Sequence, residues 1–272
     1  MVAMKKKRVI PILILKDNWL VQSKGFSEYK KIGDPVIGVK RFSDWDADEL
    51  IYLNITQTEY FSESRTDTKN FIFSSANEAL NEISKFTNMP ITVGGGLKTL
   101  YEIESRLING ADKVALNSAA LYRPSLISEA AREFGRQSLV ISVDYKFDKH
   151  IPRVWNRLFK SSDLPYLTDW TRKVEDLGAG EILLNSVDRD GMKTGYDIET
   201  INLVCESANI PIIACGGAGD WIDMEEVMVK TNADAVAAAN IFHFQDQSIY
   251  LARDFLFSRN LPVRPATLAS AR

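Results

Sequence analysis

The stretch Met89-Pro-Ile-Thr-Val-Gly-Gly-Gly96 recurs 121 residues later as Ile210-Pro-Ile-Ile-Ala-Cys-Gly-Gly217. Each copy joins a short apolar run to consecutive glycines, which is typical of a buried parallel strand followed by a tight turn. Two further pairs of segments match at offsets of 122 and 132 residues, namely 111–114 with 233–236 and 47–51 with 179–183. Matches at nearly one offset predict two half-barrels of four βα units, because a solenoid would repeat at a shorter period.

Short apolar runs alternate with segments of helical periodicity along the chain. The predicted strands are residues 8–15, 48–54, 91–93, 113–116, 139–144, 181–185, 212–215 and 235–238. The predicted helices are residues 35–45, 76–86, 100–108, 124–134, 167–177, 197–207, 221–229 and 247–257. Eight such units predict an α/β fold, a single (β/α)₈ TIM barrel with an internal twofold half-barrel repeat. We expect residues 1–272 to form one domain. The turn near Asp17 lacks the clustered glycines of a doubly wound nucleotide-binding sheet.

Composition excludes several classes of protein. The 272 residues are 45% hydrophobic and carry a net charge of −3, and residues 5–8 form the longest basic run. We therefore expect no nucleic-acid binding. No apolar run reaches the ~20 residues of a membrane span. Cys205 and Cys215 lie in apolar surroundings, which favours free thiols and a cytoplasmic protein. His150 and His243 lie far apart in the sequence, so neither a metal site nor a cofactor is predicted.

Glycines follow the third and seventh predicted strands, where Gly94, Gly95 and Gly96 match Gly216 and Gly217. Glycine lets backbone N–H groups approach an anion closely, and the loops after the last strands of such barrels commonly bind phosphate. The glycines could instead only form tight turns, but their recurrence in both halves favours a ligand with a phosphate at each end.

Polar residues follow the fourth and eighth predicted strands. Asn117 and Ser118 end the fourth strand, and Asn240 ends the eighth. These side chains either line the predicted ligand site or cap the helices that follow.

Several motifs, in order over nearly the whole chain, resemble the cyclase subunit family of imidazole glycerol phosphate synthase. They include Ile10-Pro, Gly33-Asp-Pro, Ala47-Asp-Glu-Leu, Thr92-Val-Gly-Gly-Gly, Gly110-Ala-Asp-Lys-Val, Gly178-Ala-Gly-Glu-Ile-Leu-Leu, Asp188-Arg-Asp-Gly and Ile241-Phe-His-Phe. The resemblance implies a barrel that pairs with a glutaminase subunit as a heterodimer. It also implies that ammonia from the partner enters the bottom of the barrel and reacts at the top with a bisphosphorylated aminoimidazole ribotide precursor.

The family's cyclisation uses two aspartates, at the ends of the first and fifth strands, and the resemblance maps the second of them to Asp144. Ile14 occupies the place of the first, because Ile14 and Asp144 each stand two residues before a lysine and lie 130 residues apart. Isoleucine cannot transfer a proton, and each acid–base group contributes about 10²–10⁴ in rate. Asp190, followed by Gly191, matches an aspartate of the family's substrate site. We therefore predict very weak cyclisation.

Other departures from the family fall near the same predicted face. Gln22 stands where the family has a lysine that contacts phosphate, and Asn54 replaces an aspartate. Asn185 and Met192 replace threonines, and residues 155–162 replace a hairpin containing glycine and threonine. Several changes at one face favour a changed substrate or a lost reaction over random drift.

Charged residues open four predicted strands and match the salt-bridge ring through which ammonia enters in this family: Arg8, Glu49, Lys113 and Glu181. Charges that enter buried strands are costly unless they are paired. The ring could be a structural plug, since bottom-face residues usually serve stability. Asp112 resembles the family's partner-contact residue and favours a working ammonia entrance.

Three functions remain open from the sequence. The first is a paralogue that docks a glutaminase and passes ammonia to a different acceptor, as in relatives that supply ammonia for amidination of a surface-polysaccharide sugar; a third, ATP-using sugar amidotransferase would then activate that sugar. The second is a working cyclase subunit in histidine biosynthesis, in which Asp144 and Asp190 suffice. The third is an inert scaffold that only activates the glutaminase.

Overall fold

Parallel strands close into a barrel in the computed structural model, which describes residues 5–58, 60–61, 72–159 and 163–268. The strands of these ranges are β1 (Arg8–Lys16), β2 (Trp19–Lys24), β3 (Glu28–Gly33), β4 (Leu50–Asn54), β5 (Ile91–Gly94), β6 (Lys113–Leu116), β7 (Leu139–Asp148), β8 (Ile151–Val154), β9 (Glu181–Ser186), β10 (Ile212–Cys215) and β11 (Ala235–Ala238). Strands β1, β4, β5, β6, β7, β9, β10 and β11 form the barrel in that order. Parallel pairing of β11 with β1, with Arg8 opposite Ala235, closes it into the predicted (β/α)₈ TIM barrel.

Helices connect the barrel strands, and the described ranges contain α1 (Pro35–Asp44), α2 (Ala76–Ser84), α3 (Leu100–Ile108), α4 (Ser118–Tyr122), α5 (Ser125–Phe134), α6 (Leu167–Asp176), α7 (Ile198–Ser207), α8 (Trp221–Lys230) and α9 (Ser248–Ser258). Local sequence fixes several of their starts. The Asp34 side chain accepts hydrogen bonds from the first backbone N–H groups of α1, and Pro35 occupies its first turn. Thr99 and Glu102 form a capping box at the start of α3. None of the described helices is long and apolar enough to cross a membrane.

All eight predicted strands and all eight predicted helices are present, with ends that differ by at most four residues. The sequence pattern missed three short strands, β2, β3 and β8, and the short helix α4. Residues 28–31 of β3 are all exposed, so they carry no apolar alternation that would mark a strand. The internal twofold repeat and the single domain over residues 1–272 stay predictions from the sequence.

Two apolar layers hold the barrel together. The outer layer lies between the strands and the helices, where strands such as β5 and β11 are buried along their whole length. The inner layer lines the inside of the barrel with branched and small side chains: Ile10, Ile12, Ile51, Ala115, Val140, Leu183, Ile213, Ala235 and Ala237. Alternate residues of a strand point to the same face. Residues two positions along each strand from these therefore also face the barrel axis.

Two hairpins project from the top of the barrel, the end at which the parallel strands finish. Strands β2 and β3 form the first hairpin, and β2 pairs with the end of β1. Strand β8 forms the second hairpin with the end of β7. The hairpins meet through Phe26 and Trp155, whose ring centroids lie 5.8 Å apart in an edge-to-face arrangement. The top of the barrel is therefore partly covered.

The C-terminal segment crosses the bottom of the barrel beside the start of β1. The guanidinium of Arg253 is fully buried and bonds the backbone of Asp46 and Pro265. Arg264 Nε lies 3.0 Å from the Asp48 carboxylate, and Lys7 N donates to the Pro262 carbonyl. These contacts fix both ends of the described chain at the same face.

Candidate functional site

A buried carboxylate, Asp144, lies at the top of the barrel on the inner face of β7. It is 9% exposed and accepts hydrogen bonds from Asn117 Nδ2, at 2.8 Å, and from the Asn185 amide. Burial raises the pKa of Asp144 to about 7, although the two amides act to lower it, and the nearby charge of Asp190 raises it further. Asp144 can therefore hold or release a proton near neutral pH, as a general acid or base must.

A third asparagine, Asn156, fixes the orientation of the groups around Asp144. Its side chain is 5% exposed and donates to Asn117 Oδ1 at 2.9 Å and to Ser118 Oγ at 2.8 Å. Because the Asn117 oxygen accepts this bond, its amide nitrogen faces the carboxylate. The backbone N–H of Trp155 also donates to the Asp144 carbonyl at 2.7 Å. Asn117 and Ser118, predicted to line a ligand site, are thus engaged in positioning Asp144.

Ile14 lies on β1, across the barrel from β7. It packs against the inner apolar layer together with Leu53, Cys215 and Ala239, the residues that surround the top of the axis. Ile14, which the sequence predicts to occupy the place of an aspartate of the family, is thus part of an apolar wall. The side chain at position 14 carries no carboxylate. Asp144 and residue 14 therefore cannot act together as a pair of acid–base groups.

Asp190 holds the first hairpin on the barrel. Its Oδ2 accepts from Ser23 Oγ at 2.9 Å and from Phe26 N at 3.3 Å, and its carbonyl accepts from Gly25 N at 3.1 Å. Asn240 Nδ2 donates to the Ser23 carbonyl at 2.7 Å. We call these five residues the hairpin latch. Burial raises the pKa of Asp190, and the bonds from the hairpin oppose this rise.

Asn185 Oδ1 and Asn240 Oδ1 are among the side-chain oxygens that are buried at the top without a hydrogen-bond partner in the described structure. Both can accept from a ligand that carries O–H or N–H groups. Gly191 lies beside Asn240 with φ 69°, and a Cβ there would stand 2.8 Å from the Ser23 carbonyl. Gly191 is therefore required for the close approach of the first hairpin.

The two glycine loops have the same kind of backbone. Gly95 and Gly96 have φ values of 107° and 73°, and Gly216 and Gly217 have 93° and 108°. A Cβ on Gly95 would overlap the carbonyl oxygen that ends β4, and a Cβ on Gly216 would stand 2.7 Å from the Ser186 carbonyl. Close packing on the neighbouring strand thus requires glycine in both loops. Gly94 precedes the first pair as the last residue of β5. Anion binding by these loops stays a prediction.

The four charged residues at the bottom form one closed ring. Arg8 Nη1 lies 2.6 Å from Glu49 and 3.1 Å from Glu181, and Lys113 Nζ lies 3.2 Å and 3.1 Å from the same two carboxylates. Each acid therefore contacts both bases. The side chains are 11–20% exposed. Burial lowers the pKa of Arg8, but Glu49 and Glu181 more than offset this and leave it raised. We call this arrangement the four-charge ring. It lies on the barrel axis below the inner apolar layer.

Asp112 is exposed at the bottom and has a structural task. Its Oδ2 accepts from the backbone N–H of Ile91, the first residue of β5, at 2.8 Å. Asp48 and Asp234 bind the starts of β1 and β10 in the same way. The dipeptide Ala-Asp thus recurs at 47–48, 111–112 and 233–234 because each aspartate accepts a hydrogen bond from a backbone N–H group at the start of a strand. Contact between Asp112 and a partner stays a prediction.

Neither cysteine is suited to nucleophilic attack. Burial raises the pKa of Cys205 to about 11 and raises that of Cys215 well above its usual range. Both thiols are therefore protonated at neutral pH. In the described ranges, no group of three or more His, Cys, Asp or Glu side chains could hold a metal ion.

Sequence reasoning missed the roles of Ser23, Trp155 and Asn156. All three belong to the hairpins, whose strands carry too little apolar alternation to be predicted. Residues 155–162 were recognised as a departure from the family, and that was the available signal for Asn156; residues 160–162 lie outside the described residues.

Comparison with known proteins gives the family. The model of the family described as "Histidine biosynthesis protein" matches residues 8–248. This chain belongs to that family. Its relatives include the protein named imidazole glycerol phosphate synthase subunit HisF of Lactococcus lactis subsp. lactis, which is 40% identical over 263 residues, covering 96% of this chain and 97% of the relative. Proteins of the same name from Dehalococcoides mccartyi and from Hydrogenobaculum sp. are also 40% identical, with 96% of this chain covered and 99% and 100% of the relatives. The resemblance predicted from the motifs is confirmed.

Proposed function

We propose that this barrel takes ammonia from a glutaminase partner at the four-charge ring and delivers it to an acceptor at the top face. It would act as a paralogue of the imidazole glycerol phosphate synthase subunits to which it is similar. The observation that carries the proposal is the contrast between its two ends. The bottom keeps a complete ring of alternating charges, whereas the top has Ile14 where cyclisation needs an acid.

The ring suits a gate for a small neutral molecule. Glu49 and Glu181 each contact both Arg8 and Lys113, so the charges neutralise one another and a passing ion would have to break these contacts. Above the ring, the axis is lined by apolar and small side chains of the inner layer, which excludes charged species more strongly than neutral ammonia. Both cysteines are protonated and therefore poor nucleophiles for glutamine hydrolysis, which supports a source of ammonia outside this chain.

The top suits a hydroxylated or amide-bearing acceptor. Asn185 Oδ1 and Asn240 Oδ1 accept hydrogen bonds but cannot donate them, so they favour a ligand with O–H or N–H groups over bare phosphate oxygens. Asp144 stands beside Asn185 and can take up the proton that ammonia loses as it forms a new bond to carbon.

For the acceptor we propose a sugar of a surface polysaccharide that is amidinated. A separate ATP-using amidotransferase would activate the acceptor's carbonyl carbon. Ammonia then adds to that carbon and the activating group leaves. The glycine loops with Gly95, Gly96, Gly216 and Gly217 would hold phosphate groups of the acceptor.

The second candidate is a working cyclase subunit in histidine biosynthesis, favoured by the 40% identity to proteins named HisF and by the charge interaction of Asp144 with Asp190. Complementation of a histidine auxotroph that lacks the cyclase subunit separates the two. We expect no growth. The isolated barrel, given ammonium salts and the bisphosphorylated ribotide, should turn over far more slowly than a HisF protein. Turnover at the HisF level would overturn the paralogue proposal.

The ammonia path is tested by Lys113→Ala in the complex with the glutaminase. Loss of Lys113 leaves Glu49 and Glu181 with Arg8 alone, which gives the entrance excess negative charge and favours ammonium over ammonia. We expect glutamine hydrolysis to continue while nitrogen delivered to the acceptor falls. The matched control is Lys85→Ala, which removes an exposed lysine paired with Glu82. Unchanged delivery in a folded, docked Lys113→Ala complex would make the ring a structural plug and would remove the main support for ammonia entry at this face.

A further inference from the structure

The hairpins at the top expose several large apolar side chains. Phe147 and Ile151 on the second hairpin are 44% and 49% exposed, and Met192, in the loop after β9, is 43% exposed. Tyr29 on the first hairpin is 36% exposed. Exposed apolar residues are ordinary when they are scattered. Here Phe147 pairs with Pro152 and Ile151 with Asp148, so the two side chains project from opposite sides of the second hairpin, and both sides present apolar surface at the top of the barrel.

The same hairpins are basic, although the chain is acidic. Residues 19–33 and 145–157 together contain seven basic and two acidic side chains, a net charge of +5. The whole chain carries −3, so the remaining residues carry −8. Lysines of the second hairpin and of the end of β1 lie against aromatic rings of the hairpins. Lys146 lies 5.0 Å from the Trp155 ring centroid, and Lys16 lies 5.4 Å from that of Tyr29.

The hairpins are held in place, which lowers the entropy cost of binding. The hairpin latch ties the first to the barrel, and the Phe26–Trp155 contact joins the two. Phe26, Lys149 and His150 have left-handed φ values of 54°, 47° and 71°. Each of these costs free energy for a residue other than glycine.

We propose that the two hairpins form a docking surface for another protein whose contacting patch is acidic around apolar side chains. Charge complementarity identifies the partner's chemistry, since a basic surface on an otherwise acidic chain steers an acidic partner to this face. A small anion would use the lysines and arginines but would leave Phe147 and Ile151 exposed. The inference goes beyond the proposed function and does not need ammonia to be delivered. A protein bound here would stand above Asp144 at the mouth of the barrel.

The test uses the full chain, immobilised, and a phage library of random dodecapeptides as the probe. We expect the enriched peptides to combine an excess of Asp and Glu with aromatic or aliphatic residues. Affinity for the purified peptides would be measured by fluorescence anisotropy. Phe147→Ser with Ile151→Ser, and separately Lys149→Glu with Arg157→Glu, should each weaken binding about tenfold. Lys149→Gln alone serves if the charge reversals impair folding, and should weaken binding less but measurably.

The control pair is Lys98→Glu with Tyr101→Ser beside and on α3, where Tyr101 is 78% exposed in acidic surroundings. This pair should leave peptide affinity unchanged. Absence of enrichment, enrichment of peptides without acidic residues, or equal losses in the α3 pair would overturn the proposal. A single-stranded oligonucleotide and pyrophosphate would be tested as competitors of the peptides. Displacement of the peptides, together with unchanged affinity for the Phe147→Ser, Ile151→Ser variant, would show that the surface binds phosphate groups and would overturn the proposal.

Discussion

Asp144→Asn tests the state of the buried carboxylate without changing its size. The substitution keeps an oxygen that can accept from Asn117. Rotation of the Asn185 amide brings its unpartnered oxygen to the position where it accepts from the new amide. It removes the negative charge, whose burial is unfavourable at pH values where Asp144 is ionised. We therefore expect the variant to be more stable than the natural protein at pH 8.

The magnitude follows from the pKa difference between the two states. Burial raises the pKa of Asp144 from 3.8 to about 7 in the folded protein. Between these values the folded state binds more protons than the unfolded state, so this residue's contribution to stability falls as the pH rises from about 4 to 7 and then stays constant. Some three pKa units at about 1.4 kcal/mol each set an upper limit of about 4 kcal/mol. We expect Asp144→Asn to gain roughly 2–4 kcal/mol at pH 8 and progressively less towards pH 4.

The assay is urea unfolding of both proteins at several pH values from about 5 to 8.5. Asp148→Asn is the matched control, because the Asp148 side chain is 54% exposed at the tip of the second hairpin. Its stability should follow that of the natural protein within about 0.5 kcal/mol. A variant Asp144→Asn that is no more stable than the natural protein at pH 8, or whose advantage does not change with pH, would refute the reasoning.

Three further outcomes follow from the described contacts. Ser23→Ala and Asp190→Asn should each loosen the hairpin latch and raise the amide hydrogen exchange rate of residues 19–33 about tenfold. The control Ser128→Ala, which removes an exposed hydroxyl elsewhere, should leave this rate unchanged. Gly95→Ala should cost about 2–4 kcal/mol in urea unfolding because its Cβ would overlap the end of β4, and Gly96→Ala, which has free space, should cost less; equal costs would contradict this. Crystals soaked in sulfate should show an anion at the N–H groups of Gly216 and Gly217, and empty loops would argue against a phosphate site.

Most of the fold could be predicted because barrel strands buried on both faces are continuous apolar runs. Residues 113–116, 212–215 and 235–238 were predicted with the observed ends. The hairpins could not be predicted, because their strands are four to six residues long and β3 faces solvent over most of its length. Strand β3 contains Glu28, Lys30 and Lys31, a composition that looks like a loop.

The candidate site was only partly visible in the sequence. Asp144 and the members of the four-charge ring were predicted from the family motifs. The structure brings the four ring residues into contact with one another. The raised pKa of Asp144 could not be predicted, because it depends on burial and on two amides from other strands. Ligand binding by Asp190 and Asn240 stays a prediction. Their contacts with Ser23 could not be predicted, because Ser23 lies 167 and 217 positions away in the sequence.

The join between the two ends of the chain has a consequence for how the molecule can be rebuilt. Since β1 pairs with β11 and Lys7 bonds Pro262, a short linker could connect the described ends without crossing the barrel. The chain could then be opened at the exposed Lys149–His150 turn, which lies at the opposite end. Such a circular permutant would carry its termini at the top, so that a fluorescent protein or affinity tag fused there would leave the face with the four-charge ring unobstructed.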